Sequence, residues 1–158
     1  MKRCVLAIVF AVLAPMSLAE TSTAAHLDSV TGTARHLGAD PPFPVIQVHI
    51  NALADASGTN ARGHVTAVIK TLDVNDRARV ICLSVVGNRA TVGTEIVKSN
   101  DPALVGRGQL WSVVDNGKSG VDRIAGHPIT PTPPTVCPPL FFNVPLVSGN
   151  YVIHDATR

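Results

Sequence analysis

Along most of this chain apolar and polar residues alternate with a period of two, the signature of strands with one covered face. From Val45 to Leu53, Ile46, Val48, Ile50 and Ala52 fall on one side, and Gln47, His49 and Asn51 on the other. From His64 to Lys70, Val65, Ala67 and Ile69 oppose His64, Thr66 and Lys70. Arg79 to Val86 is almost continuously apolar and β-branched, which predicts a strand covered on both faces or a barrel wall. Shorter runs predict strands at Asp28–Ala34, Arg89–Lys98, Gln109–Val114, Val121–Ala125 and Val147–His154. No stretch shows a sustained helical period with caps.

The punctuation agrees with this pattern. Gly38–Pro44 reads as a turn because Pro41, Pro42 and Pro44 forbid a helix. Asp55–Asn60 and Asp73–Asp76 are dense in turn formers, and Ser99–Gly106 reads as a loop. Gly87-Asn88 sits between two strand patterns, and both residues tolerate the positive φ of a two-residue hairpin turn. Asp115-Asn116-Gly117 predicts a second tight turn. Seven prolines between Pro128 and Pro145 exclude a helix or central strand there and favour extended polyproline II. About eight short strands at the spacing of all-β domains predict an antiparallel meander, closed into a small barrel or a sandwich.

The N-terminus changes the picture. Lys2 and Arg3 precede an unbroken apolar run from Cys4 to Ala14, Pro15 ends it, and Ser17-Leu18-Ala19 supplies small residues before Glu20. That order predicts a secretory signal peptide, residues 1–19, cleaved after Ala19. The run, about eleven residues, is too short to cross a ~30 Å hydrocarbon core. The organisation that follows is a leader at 1–19, a flexible tail at 20–27, and one β-domain at 28–158 with a Pro-rich loop at 128–145. Loss of Lys2 and Arg3 from 13 basic residues leaves 11 against 11 acidic ones, so the mature chain is neutral. Its basic residues are scattered, with only Arg77 and Arg79 close together, which argues against nucleic acid as a partner. No later segment predicts a membrane span, and no Asn begins a glycosylation sequon. Cys4 leaves with the leader, so Cys82 and Cys137 remain and are expected to pair in an oxidising compartment.

Candidate chemistry is sparse. If Val45–Leu53 and His64–Lys70 form a hairpin, His49 and His64 could lie side by side, with His154 or Asp155 as a third metal ligand. No known metal spacing is present, and solvated face residues are the simpler reading. Asp115, Asn116 and Asp122 offer oxygens to calcium, but the Asp-x-Asp/Asn-x-Asp/Asn-Gly loop is absent and an Asx-stabilised turn suffices. There is no Gly-x-Ser-x-Gly elbow and no His-Glu-x-x-His, and Glu95 is the one glutamate after Glu20. No catalytic residue, metal site or cofactor is therefore expected, and a hydrolase with a cross-strand His/Asp site is the least favoured reading. A barrel interior could hold a small apolar ligand, although the same Val and Ile side chains can simply fill it. Trp111 and Tyr151 are the obvious candidates for stacking on a sugar. The Pro-rich segment could serve as a spacer or docking ligand, but Cys137 favours a loop strapped onto the domain.

The landmarks Val30-Thr31-Gly32-Thr33, Ser57 to His64, Cys82 to Val92 (with Gly87-Asn88-Arg89-Ala90-Thr91-Val92), Val114-Asp115-Asn116-Gly117 and Ser148-Gly149-Asn150-Tyr151 occur in that order. In them the chain resembles a family of small exported bacterial all-β domains of unassigned function, over about the whole mature length. The resemblance implies an exported β-module and no activity. Lys118 to Asp122 stands where the resemblance implies a more acidic turn, which weakens an ion site there. The expectation is a secreted, non-enzymatic β-domain with a structural or extracellular binding role. Its partner would be an extracellular protein or a small apolar ligand carried inside the barrel.

Overall fold

Alternation becomes nine antiparallel strands: β1 Leu27–Leu37, β2 Val45–Asp55, β3 Arg62–Ile69, β4 Val74–Val86, β5 Arg89–Lys98, β6 Gly108–Val114, β7 Arg123–Gly126, β8 Val144–Pro145 and β9 Ser148–His154. The computed structural model describes residues 26–38 and 43–157. The expected leader, residues 20–25 of the expected tail, and Pro41 and Pro42 lie outside the described residues. Among the described residues there is no α-helix, only single 3-10 turns at Lys70–Leu72 and Pro102–Leu104.

The strands form one curled sheet in the order β8-β7-β6-β5-β4-β3-β2-β1-β9. The meander is thus consecutive until β9, which returns to pair with β1 from Ser29↔His154 to Arg35↔Ser148. The result is a half-barrel rather than a ladder-closed barrel or a sandwich. Its concave face holds the core: Val30 and Ala34 of β1, Val48 and Ile50 of β2, Val65 of β3, Val92 of β5, Val113 of β6 and Tyr151 of β9 are all buried.

Several predicted boundaries move. Leu27 belongs to β1 rather than to a tail, and β1 runs on to Leu37. β4 begins at Val74, so Asn75 and Asp76 are ladder residues and not a turn. The tight turn predicted at Asp115 is an eight-residue connection between Val114 and Arg123. At Gly87-Asn88 the hairpin forms as expected, but positive φ falls on Gly87 (63°) and not on Asn88. Glycine at the first central position is one of the two usual solutions for such a turn.

A bulge decides where Cys82 points. Val80 and Leu83 are both in the core, three residues apart, which strict alternation forbids. The β4–β5 register slips between Val80 and Cys82, and the extra residue moves Cys82 to the convex face opposite Gly93. There it meets Cys137, with the two sulfurs at bonding distance and the Cα atoms 5.8 Å apart. The Pro-rich segment is thereby tied across the outside of the sheet. A β-carbon at Gly93 would strike both sulfurs and Pro134, and one at Gly108 would lie 2.6 Å from Pro133, so glycine lets the segment sit directly on the strands. Gly108 and Thr130 exchange backbone hydrogen bonds, and Ser112 Oγ donates to the Phe142 carbonyl at 2.6 Å. The cover explains why Ala90 to Thr94 is buried on both faces of β5.

One end of the half-barrel is sealed by carboxylates. Asp122 accepts from the Tyr151 N–H and the Asn116 N–H, both at 2.8 Å. Asp115 accepts from the Ile153 N–H at 3.1 Å and the Gly117 N–H at 2.8 Å. Asp28 accepts from Ala156 N–H and Asp155 from Gly87 N–H. The bonds from Tyr151 and Ile153 satisfy the edge of β9 that no neighbouring strand covers. Tyr151 also donates its hydroxyl to the Val48 carbonyl at 3.0 Å, and burial, with the Asp122 charge second, holds its phenol well above the usual tyrosine pKa.

Two expectations follow from these features. Converting Cys82 and Cys137 to serine frees a 55-residue separation, so urea unfolding should show a loss of about 4 kcal/mol in the loop-entropy account, with faster amide exchange at Gly108 and Thr130. Asp122→Ala strands two backbone donors, which costs about 2–4 kcal/mol; amide exchange at Tyr151 and Asn116 should rise most, and an unchanged rate there would remove the seam from this account.

Candidate functional site

The opposite end of the half-barrel is open. Here β1 ends, β2 begins, and the β3–β4 and β5–β6 connections turn. A cavity of about 250 Å³ opens between the inner faces of β1 to β4 and of β6 and β7, with Leu104, Ile129, Phe142 and Val144 completing its wall. Ile46, Ala67, Ile69 and Val74 make most of the remaining surface apolar.

Four polar side chains interrupt that surface: Gln109, whose Nε2 donates to the His127 carbonyl at 3.0 Å, and three placed by strand parity. His36 lies two residues beyond Ala34 on the inner face of β1, opposite Ile46. Asp76 shares its face of β4 with Ala78 and Val80, opposite Ala67. Trp111 shares its face of β6 with Val113, opposite Gly126. The indole lies so close to β7 that a β-carbon at Gly126 would come within 2.9 Å of it. His36, Asp76 and Trp111 are 3, 9 and 4 % exposed.

Among the described residues, three buried side-chain atoms lack a hydrogen-bond partner: His36 Nε2, Asp76 Oδ1 and Trp111 Nε1. All three residues line this one cavity. A buried polar atom without a partner costs about 1–3 kcal/mol, so these three make the open end the less stable end of the half-barrel. The tautomer of His36 follows from its surroundings. Its Nδ1 lies 2.9 Å from the Leu37 carbonyl, which can only accept, so Nδ1 carries the proton. Burial pushes the His36 pKa down, and the bond to Leu37 only partly opposes this. Nε2 is therefore the unprotonated ring nitrogen, buried and without a hydrogen-bond partner. The cavity wall thus contains two buried acceptors, His36 Nε2 and Asp76 Oδ1, and one buried donor, the Trp111 N–H, none of them hydrogen-bonded.

The residues singled out from the sequence lie elsewhere, apart from Trp111. The β2–β3 hairpin does bring His49 and His64 together on the convex face, with ring centroids 5.3 Å apart. His49 Nδ1 shares a 2.8 Å hydrogen bond with Thr33. His154 pairs with Ser29, four residues along β1 from Thr33, or about 13 Å away, so it does not join them. Asp155 is engaged at the sealed end with Gly87 and Thr157. Among the described residues no group of three or more His, Cys, Asp or Glu could hold a metal ion. Asp115 and Asp122 are occupied by backbone donors, as described above. Tyr151 is buried in the core and presents no ring face for a sugar, while Trp111 borders the cavity. Next to His64, Arg77 stands directly opposite Lys98 beside a shallow convex-face depression.

A serine–histidine pair also occurs, Ser112 Oγ and His127 Nε2 at 3.1 Å. Ser112 gives its proton to the Phe142 carbonyl, so His127 donates to the hydroxyl. That polarity is the reverse of nucleophile activation, and Ser112 is buried under the Pro-rich strap.

The sequence pattern ends the first strand at Ala34 and reads Asp73–Asp76 as a turn, so it passes over His36 and Asp76, which the structure places on β1 and β4. The signal was present: extending the parity of Val30 and Ala34 by one step lands on His36, and stepping back from Val80 and Ala78 lands on Asp76.

Both His36 and His127 have pKa values lowered from 6.5 by burial. Below 6.5 the unfolded chain binds protons that the folded chain refuses, so stability is full above that pH and falls as pH drops toward the folded-state values. The urea midpoint should decline between pH 7 and 5, and His36→Gln should flatten that slope; a pH-independent wild type would contradict the neutral assignment. No family model, curated protein or solved structure matches the chain.

Proposed function

We propose that this protein is an exported, non-enzymatic β-domain that holds one small, mainly apolar molecule in the open end of its half-barrel. The observation that carries the reading is the largely apolar cavity of about 250 Å³ at this end, with His36, Asp76 and Trp111 among its lining residues. Apolar walls with a few placed polar groups are the usual composition of a small-molecule site. Leu37 and Phe142 at its edge are 46 and 62 % exposed, which gives an apolar guest a greasy approach.

Export is supported by the order of Lys2-Arg3, the apolar run to Ala14 and Ser17-Leu18-Ala19, with cleavage after Ala19. The Cys82–Cys137 pair at disulfide distance is compatible with an extracellular setting. No described helix is long and apolar enough to cross a membrane. Nucleic acid remains a poor partner for a chain with scattered basic residues. The reversed Ser112–His127 polarity weighs against the hydrolase alternative.

Trp111 is the one tryptophan of the chain, so its fluorescence reports on this cavity alone. Titration with 1-hexanol should give a saturable, one-to-one change in Trp111 emission. Ala67→Phe, which fills the cavity from the residue opposite Asp76, should abolish that change while leaving the circular dichroism spectrum β-rich. Native mass spectrometry of protein from culture medium should show loss of residues 1–19. An emission spectrum indifferent to hexanol and to other small apolar probes would refute the binding role.

A further inference from the structure

We propose that the convex face carries an oxyanion site, in which Arg77 of β4 and Lys98 of β5 hold the phosphate or sulfate group of a small polar ester. The site lies on the opposite side of the sheet from the cavity and is independent of the binding role proposed above.

The cations are scattered along the sequence, and the ladders gather them. Thr33, His49, Thr66, Arg77 and Lys98 stand opposite one another in turn, so they form one row across β1 to β5. Directly opposite residues have Cβ atoms about 4.5–5.5 Å apart, within the reach of an arginine or lysine side chain. A bulge sets the place of Lys98 in this row. Arg77 faces Lys98 while Ala78 faces Ile96, so Val97 is the extra residue of β5. An unbroken ladder would set Val97 against Arg77, and Lys98 against Asp76 on the inner face. Lys98 would then have an opposite charge beside it. The bulge instead puts two cations side by side, and like charges directly opposite are destabilising. Among the described residues neither cation has an ion-pair partner. Glu95 is taken by Arg79 in the neighbouring row, and Asp73 is bonded to Asn100 Nδ2 through its carbonyl at 2.9 Å and its carboxylate at 3.4 Å.

Arg77 and Lys98, with His64, Thr66, Asn75 and Asn100, line a depression of about 440 Å³. All six are polar and none is buried, so the wall is open to a ligand. The volume falls within the ~300–1,000 Å³ of small-molecule sites. An all-polar wall with two unpaired cations favours an anion and offers an apolar guest nothing. Arg77 brings five N–H donors, Lys98 three and Thr66 one, and they come from three adjacent strands. A tetrahedral oxyanion turns its oxygens in several directions and can meet them together, and a guanidinium takes such a group through paired N–H···O bonds. His64, Asn75 and Asn100 keep the rest of the depression polar, which fits a sugar-like body behind the charged group.

Amide chemical-shift titration of the intact, disulfide-bonded mature protein at pH 7.5 and low ionic strength tests this with glucose 6-phosphate, glucose 6-sulfate, inorganic phosphate, inorganic sulfate and glucose. Both esters should bind saturably, with the largest shifts at Thr66, Arg77 and Lys98. The phosphate ester should bind the more tightly, because it carries nearly two charges. Glucose should not bind. Arg77→Gln and Lys98→Gln should each weaken ester binding about tenfold, the scale of a hydrogen bond to a charged group. Each variant relieves the repulsion within the row, so its urea midpoint without ligand should hold or rise. Arg89→Gln removes an exposed cation from the β4–β5 hairpin, outside the depression, and should leave ester affinity unchanged. Inorganic phosphate or sulfate binding as tightly as the esters supports the oxyanion seat and overturns the polar body. No binding by any anion, or an equal loss in Arg89→Gln, overturns the site, and either result leaves the Trp111 cavity reading untouched.

Discussion

The curl of the sheet depends on a seam made by side chains. A nine-stranded antiparallel sheet has two edges, and here β8 and β9 occupy them although only Leu146 and Val147 separate the two in sequence. Leu146 donates to the Asp122 carbonyl and Val147 to the Arg35 carbonyl, so this short link already draws the edges together. Asp122 and Asp115 then take the N–H groups of Tyr151 and Ile153 that a tenth strand would otherwise receive. A carboxylate accepts more strongly than a carbonyl, and two such bonds can replace a short ladder. Without them β9 would be an open template, and the concave face would have less reason to stay enclosed.

The convex face is organised by a different device. The bulge after Val80 rotates Cys82 outward, and the disulfide to Cys137 draws seventeen or so residues of irregular chain over β5 and β6. The strap converts part of the sheet's solvent side into a second buried layer, under which Thr91 and Ser112 lie almost fully covered. It also delivers Phe142 and Val144 to the mouth of the cavity. The staple therefore reaches the candidate site indirectly, by fixing one of its walls.

The two ends of the half-barrel consequently differ. Four aspartates close one end by accepting backbone N–H groups. The other end contains Asp76, a carboxylate of the same kind, with an oxygen that no backbone group reaches. The contrast is physical rather than compositional: a carboxylate beside an uncovered strand edge has donors at hand, whereas one in the middle of a ladder faces a cavity whose backbone donors are already used.

Much of the architecture was legible in the sequence. The period of two, the absence of a helical pattern, Gly87-Asn88 and the density of turn residues were enough for an antiparallel all-β meander, and Cys82 with Cys137 were enough for one staple. The strands of Val45–Leu53 and Arg89–Lys98 were found nearly to their ends, because alternation is a local property that each strand carries by itself. Tertiary structure decided what local pattern does not encode. Whether Asp76 turns or extends depended on β3 lying beside it, and whether Asp115 and Asp122 bind an ion or a backbone depended on β9 arriving from thirty residues away. The site is of this second kind: His36, Asp76 and Trp111 come from three strands separated along the chain, and only the curl of the sheet, which is a property of all the strands together, turns their side chains toward one space.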